Sequence, residues 1–259
     1  MKRVLCSFAL LAIALFVNAQ YPENERKLDD FGSMSFDVEL GKDSYFRFEP
    51  ISVRFSFSNL TGTVKKAYPP QFLQDTSLRI LGGGKVSEYR LSSFGRSFQL
   101  PADFEPGATY RKNKNLTYLL GEFFPRPGKY ELQFVLRPAD DSGFTSLFSK
   151  PIIITIKEPR GLEAEAIEFL ERYEKYSVLF AWSHMETNGL ELLEEFVARY
   201  SGTVYGDFAI FHLGSVYLNN REFDKALAEF SKIAKSSNSL LAEDAQRNIR
   251  GIETKHRNK

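Results

Sequence analysis

The sequence is short of the residues on which most enzyme chemistry depends. Of its 259 residues, one is cysteine, one tryptophan and three histidine. The lone thiol, Cys6, lies inside the first apolar run, so the chain that follows has neither a disulfide nor a thiolate nucleophile. An exported chain without disulfides holds together by burial alone, which a domain of about 100 residues or more can do. The histidines, His184, His212 and His256, form no H-E-x-x-H pair, and this excludes a metalloprotease-type zinc site. No Gly-x-Ser-x-Gly elbow occurs. Charge of one sign is also missing. Against 34 Lys and Arg stand 33 Asp and Glu, a formal charge of +1, which gives no global pull toward nucleic acid or anionic lipid.

Motifs that superficially suggest chemistry lack their partners. Gly82-Gly83-Gly84-Lys85 has neither the spaced upstream glycine nor the Ser/Thr of a phosphate loop, and it separates two strand patterns. It reads as a hairpin. Asp140-Asp141-Ser142-Gly143 has no full calcium ligand set and reads as a turn. Glu194-Glu195 are neighbours on a helix and point apart, which is wrong for shared acid–base work. The reading is therefore of a non-enzyme with no catalytic residue, no metal and no cofactor.

What is present begins with an address. Lys2 and Arg3 precede an apolar run over residues 4–17, and Val17-Asn18-Ala19 sets small or short residues before Gln20. This is the pattern of a signal peptide over 1–19. The run is shorter than the roughly 18 to 20 residues a membrane span needs, so no stable membrane insertion is expected after cleavage. Residues 20–34 are polar and turn-rich, a flexible leader. Export without disulfides suits the periplasm or exterior of a bacterial envelope. Asn59-Leu60-Thr61 and Asn115-Leu116-Thr117 match the glycosylation acceptor pattern.

From about Ser35 the apolar period is two. Ile51, Val53, Phe55 and Phe57 alternate with Ser52, Arg54, Ser56 and Ser58, which predicts a strand with the serines and arginine facing out. Similar strands are predicted on both sides of the glycine run, over 109–120, over 130–137 and over 151–157. The continuous Ile152-Ile153-Ile154-Thr155-Ile156 predicts a strand covered on both faces or set against a second domain. Apolar content of 43% and aromatic content of 14% are ample for a packed core.

Glu49-Pro50-Ile51, Glu105-Pro106-Gly107 and Pro127-Gly128-Lys129-Tyr130 give residues 35–158 a resemblance to bacterial immunoglobulin-like domains. The last motif also resembles a proteinase-inhibitor family of similar architecture. The resemblance implies an all-β antiparallel sandwich. Within it Phe123-Phe124-Pro125-Arg126-Pro127 is the candidate inhibitory loop. Sugar binding would need an aromatic platform, and Trp182 lies outside this segment.

Pro159 and Gly161 mark a boundary, and residues 159–254 follow a helical period, ending in a basic tail over 255–259. Leu193-Glu194-Glu195-Phe196 recurs as Leu227-Ala228-Glu229-Phe230, with the phenylalanines 34 positions apart. Leu213, Gly214, Tyr217, Ala226 and Phe230 resemble the signature of the tetratricopeptide repeat, in which small residues let two helices approach closely. Ile210 and Asn238 replace the family's tryptophan and proline. In the earlier, degenerate repeat, Leu179-Phe180 and Leu192 take the Leu-Gly and small positions.

The expected fold is thus two domains, an all-β antiparallel immunoglobulin-like sandwich followed by all-α tetratricopeptide-type hairpins. The resemblance implies a groove lined by Phe208, Phe211, Ser215, Leu218 and Asn219, with Ser177, Ala181 and His184 from the earlier repeat. A packed position for Phe208 and Phe211 is the alternative. The expected function is an exported scaffold that binds a protein or peptide partner. The alternative places binding in the sandwich, as a proteinase inhibitor or carbohydrate-binding module. Neither the partner's identity nor the oligomeric state is readable.

Overall fold

The structure is a computed structural model, and it describes residues 34–82, 85–91, 102–116, 124, 126–137, 146–172 and 189–257. The signal and leader segments up to residue 33 lie outside these, as do Asp140-Asp141-Ser142-Gly143, Leu179-Phe180 and Trp182.

Eleven strands fill the first part of the described chain: β1 (Met34–Leu40), β2 (Ser44–Phe46), β3 (Ile51–Asn59), β4 (Lys65–Ala67), β5 (Thr76–Gly82), β6 (Lys85–Arg90), β7 (Ala102–Phe104), β8 (Thr109–Leu116), β9 (Gly128–Leu136), β10 (Leu147–Phe148) and β11 (Ile152–Lys157). They form three sheets, ordered β1-β3-β8, β2-β11-β9-β5-β6 with β10 beside β9, and β4-β7. The first two meet face to face. Phe55 of β3 touches Phe134 of β9 edge to face at 5.6 Å. Around that contact Val53, Phe57, Leu78, Leu132 and Ile154 are buried, each contributing about 1.5 to 3 kcal/mol by leaving water. The glycine run makes a hairpin, with Gly82 paired to Lys85.

Six helices are described: α1 (Phe72–Asp75), α2 (Leu162–Arg172), α3 (Gly189–Tyr200), α4 (Val204–Asn219), α5 (Phe223–Ile233) and α6 (Ser239–Arg257). α4 is apolar on most of its circumference and lies at the centre of the helical cluster. It starts at Thr203, whose Oγ1 accepts from the Gly206 amide at 2.9 Å. It ends where Arg221 turns left-handed, at φ 65°, and the Glu222 amide returns to the Tyr217 carbonyl at 2.8 Å.

The expectation of an all-β antiparallel unit followed by a separate all-α unit is corrected. Among the described residues the molecule is mixed α/β, with three sheets and six helices, strands in the N-terminal half and helices in the C-terminal half. β2 runs parallel to β11, with Ile156 opposite Tyr45. α1 sits among the strands because Phe72 stacks between Phe55 at 5.1 Å and Tyr110 at 5.6 Å. Nor are the two halves independent, since Phe46 and Phe48 from the strand region pack into the helical core.

Two smaller expectations also change. Ile153 is 65% exposed, so β11 has one open face rather than two covered ones. Ser52 and Ser58, expected to face solvent, are buried: α6 docks over Ser52, and Ser58 pairs with the Thr109 hydroxyl at 2.9 Å.

Candidate functional site

The residues of the implied groove divide sharply. Phe211, Leu218 and Asn219 stand on one side of α4, at spacings of seven and one. Phe211 and Leu218 are half-buried, and Asn219 is exposed. The Phe211 ring meets Phe230 edge to face at 5.5 Å. Phe208 is buried in the helical core, and Ser215 is buried with its hydroxyl donating to the Phe211 carbonyl at 2.9 Å. Ser177, Ala181 and His184 lie outside the described residues.

The packing signature is brought together. Leu213, Tyr217, Ala226 and Phe230 are all buried in one cluster. A Cβ on Gly214 would lie 3.0 Å from Cε1 of Phe230, so the glycine makes room for that ring. Tyr217 closes the neighbouring contact, donating its hydroxyl to Glu194 of α3 at 2.7 Å. Phe196, 34 residues before Phe230, is also buried but has different neighbours. It packs against Tyr200 at 5.0 Å and Phe169 of α2 at 5.6 Å.

In the candidate inhibitory loop Phe124 is buried against Tyr130 at 4.9 Å, while Phe123 and Pro125 lie outside the described residues. Tyr130 donates to the Arg126 carbonyl at 2.6 Å. The first glycosylation pattern is blocked. Asn59 is fully buried, and its Nδ2 donates to the carbonyls of Thr63 and Phe104, both at 2.8 Å. On the other sheet Val86 of β6, Phe148 of β10 and Ile153 of β11 are 60%, 49% and 65% exposed.

Sequence reasoning missed the seam between strands and helices. At one end Asn238 caps α6, its Oδ1 accepting from the Leu241 amide at 3.2 Å. Its Nδ2 donates to Ser52 at 3.1 Å, and Ser52 donates to Asn115 at 2.8 Å. A Cβ on Gly41 would meet Asn238 Oδ1 at 2.2 Å, so only glycine fits there. Beside it Arg54 pairs with Glu243, and Asn113 donates to Asp244 at 2.8 Å.

At the other end the turn after β2 enters the helices. Phe48 adopts φ 64°, a costly conformation for a bulky side chain. The Tyr205 hydroxyl of α4 donates to the Arg47 carbonyl at 2.6 Å. Below this turn three carboxylates share one cation. Lys42 pairs with Glu49 Oε1 at 2.6 Å, and Glu49 Oε2 accepts from the Phe46 amide at 2.9 Å. Glu163 of α2 accepts from the Val204 amide at the start of α4 at 3.1 Å, and Asp207 accepts from Ser236 at 2.5 Å. Burial pushes Glu49 up to about 7 against the pull of Lys42, and burial also raises Glu163 and Asp207. The only early signal of this cluster was Glu49-Pro50, a polar residue set before a strand.

His212, one turn along α4 from Phe208, is buried, and burial lowers it to about 4, so it is neutral at pH 7. Among the described residues no three His, Cys, Asp or Glu side chains converge as a metal site. Nor is any described helix long and apolar enough to cross a membrane.

No protein-family model and no curated protein matches the chain. Among solved structures it is similar to the sporulation control protein Spo0M of Bacillus subtilis, at 14% identity and a TM-score of 0.31, over 55% of this chain and 56% of that one. It is similar also to a CARDB domain from Pyrococcus furiosus crystallised with di-metal ions, at 9% identity and a TM-score of 0.26, over 49% and 94%. A third likeness is to a β-glucosidase of Listeria innocua in complex with glucose, at 9% identity and a TM-score of 0.28, over 48% of this chain and 16% of that one. Likenesses this weak assign neither a family nor an activity.

Proposed function

We propose that the chain is a non-catalytic exported scaffold which holds a protein or peptide partner on the open side of its helical hairpins, in the bacterial cell envelope. The observation that carries this reading is the row Phe211, Leu218 and Asn219 on α4, where an aromatic and a leucine reach solvent beside a polar amide. Such a surface gives a polypeptide apolar anchors and a hydrogen-bonding rim. The tetratricopeptide resemblance of Leu213, Gly214, Tyr217, Ala226 and Phe230 supports it, and the apolar segment at residues 4–17 supports export. The buried positions of Phe208 and Ser215 narrow the surface to Phe211, Leu218 and Asn219.

A second reading places binding on the outer face of the β2-β11-β9-β5-β6 sheet. It is favoured by Val86, Phe148 and Ile153, which are exposed on strands of that sheet and its β10 edge. The two readings separate in one experiment on the intact chain. Leu218→Glu with Asn219→Lys is expected to abolish capture of the native partner, while Ile153→Asp leaves it unchanged. The reverse pattern transfers the function to the sheet.

A further inference from the structure

The seam beneath the β2 turn is overloaded with negative charge. Lys42, from the β1–β2 connection, is the cation that Glu49, Glu163 of α2 and Asp207 of α4 all face. Asp43 and Tyr45 flank Glu49 from the strand side. At the rim Arg47 is already engaged, pairing with Glu158 at 3.2 Å. With every acid ionised, the three carboxylates around Lys42 leave two charges uncompensated in a partly dry interface. The polar hydrogen bonds are also incomplete. Oε2 of Glu163 is buried and has no hydrogen-bond partner among the described residues. An anionic oxygen in that position costs its full desolvation, whereas a protonated one costs much less.

We infer that this seam is a proton-operated latch, in which protonation of the Glu49–Glu163–Asp207 cluster holds the β2 turn in the helical core and ionisation loosens it. The moving segment is Tyr45-Phe46-Arg47-Phe48. It carries the strained Phe48, at φ 64°, and the Arg47 carbonyl that accepts from Tyr205. Asp244, which burial also raises, lies at the far end of the seam against Asn113, Arg247, Glu243 and Arg54. It has compensating cations of its own and belongs to the fixed end. The latch contacts the N-terminal end of α4, the helix that carries the surface of the proposed function, and its motion is measurable without any partner.

The sign follows from linkage. Glu49 titrates near 7 in the closed seam and near its ordinary value of 4.5 once exposed. The closed state therefore binds more protons between these values, and opening grows as pH rises from about 4.5 to about 7, then levels off. The test is amide hydrogen exchange on the full chain at pH 5 and pH 8, corrected for the intrinsic pH dependence of exchange. Protection at residues 45–49 and 204–208 is expected to fall by about tenfold or more, the effect of one pKa unit, while β3 and β9 keep theirs. Glu49→Gln is expected to flatten the response. Glu163→Gln, nearer the rim, repeats the test should the first variant fold poorly. Equal loss of protection throughout the molecule, no loss at the seam, or an unchanged response in a folded Glu163→Gln would overturn the latch. None of these outcomes bears on whether Leu218 and Asn219 contact a partner.

Discussion

At the scale of single residues, the contact between Gly214 and Phe230 is the clearest link from sequence to packing. A side chain at 214 must displace a fully buried ring or push α4 and α5 apart. Gly214→Leu is expected to lose roughly 1 to 3 kcal/mol through overpacking. Phe230→Ala is expected to lose about 3 to 5 kcal/mol through the cavity it leaves. Chemical denaturation of each variant measures both, and parental midpoints for both would show that α4 and α5 do not nest as described. Asn238 makes the opposite point. It stands where the repeat family has proline, and the substitution looks like a simple departure from pattern. In the folded chain the amide caps α6 and fastens Ser52, work that a proline, without the amide side chain, does not do.

At the scale of elements, the legible ones are those whose neighbours are near in sequence. β3 is written in the alternation of Ile51, Val53, Phe55 and Phe57. The β5–β6 hairpin is written in its glycines, and the α4–α5 hairpin in Leu213, Gly214, Tyr217, Ala226 and Phe230. What was hidden depends on contacts over long separations. The parallel pairing of β2 with β11 joins residues about 110 apart in the chain, and β2 is only three residues long, too short to show a period. Ser52 alternates like a solvent-facing residue and is buried only because α6, from the other end of the chain, covers it. The open face of Ile153 was hidden for the converse reason. A run of isoleucines predicts burial on both sides, and nothing local shows that one side stays uncovered. For the candidate site, the repeat resemblance placed Phe211, Leu218 and Asn219 in a groove and left a packed position for Phe208 open as the alternative. That Phe208 and Ser215 turn inward depends on where α4 sits among its neighbours.

At the scale of the whole molecule, the seam decides how the chain responds to solvent. Phe46 and Phe48 of the strand region pack against the helical core, so the helices do not cover that core alone. Two buried groups then set opposing pH dependences. Glu49, raised to about 7, contributes stability that is present below about 4.5 and lost as pH rises to 7. His212, lowered to about 4, acts in reverse. Its unfolded form takes up a proton below about 6.5 while the buried ring does not, so stability falls as pH drops from 6.5 to 4. The two slopes oppose each other across pH 4.5 to 6.5, and Tm is expected to change little there. Removing either group exposes the other. His212→Gln is expected to melt at progressively lower temperature as pH rises from 5 to 7, and Glu49→Gln at progressively higher temperature. Thermal melts at half-unit pH steps check both slopes, and identical profiles in the two variants would refute the assignment.

The function proposed for this molecule turns on whether its helices present a surface to another polypeptide. Placing a photoreactive side chain at position 218 in the intact protein, with position 153 as the control, and crosslinking in the native host decides the matter. A discrete polypeptide adduct is expected from 218 and none from 153. An adduct from 153 alone, or from neither position, would show that the helices are not the binding surface.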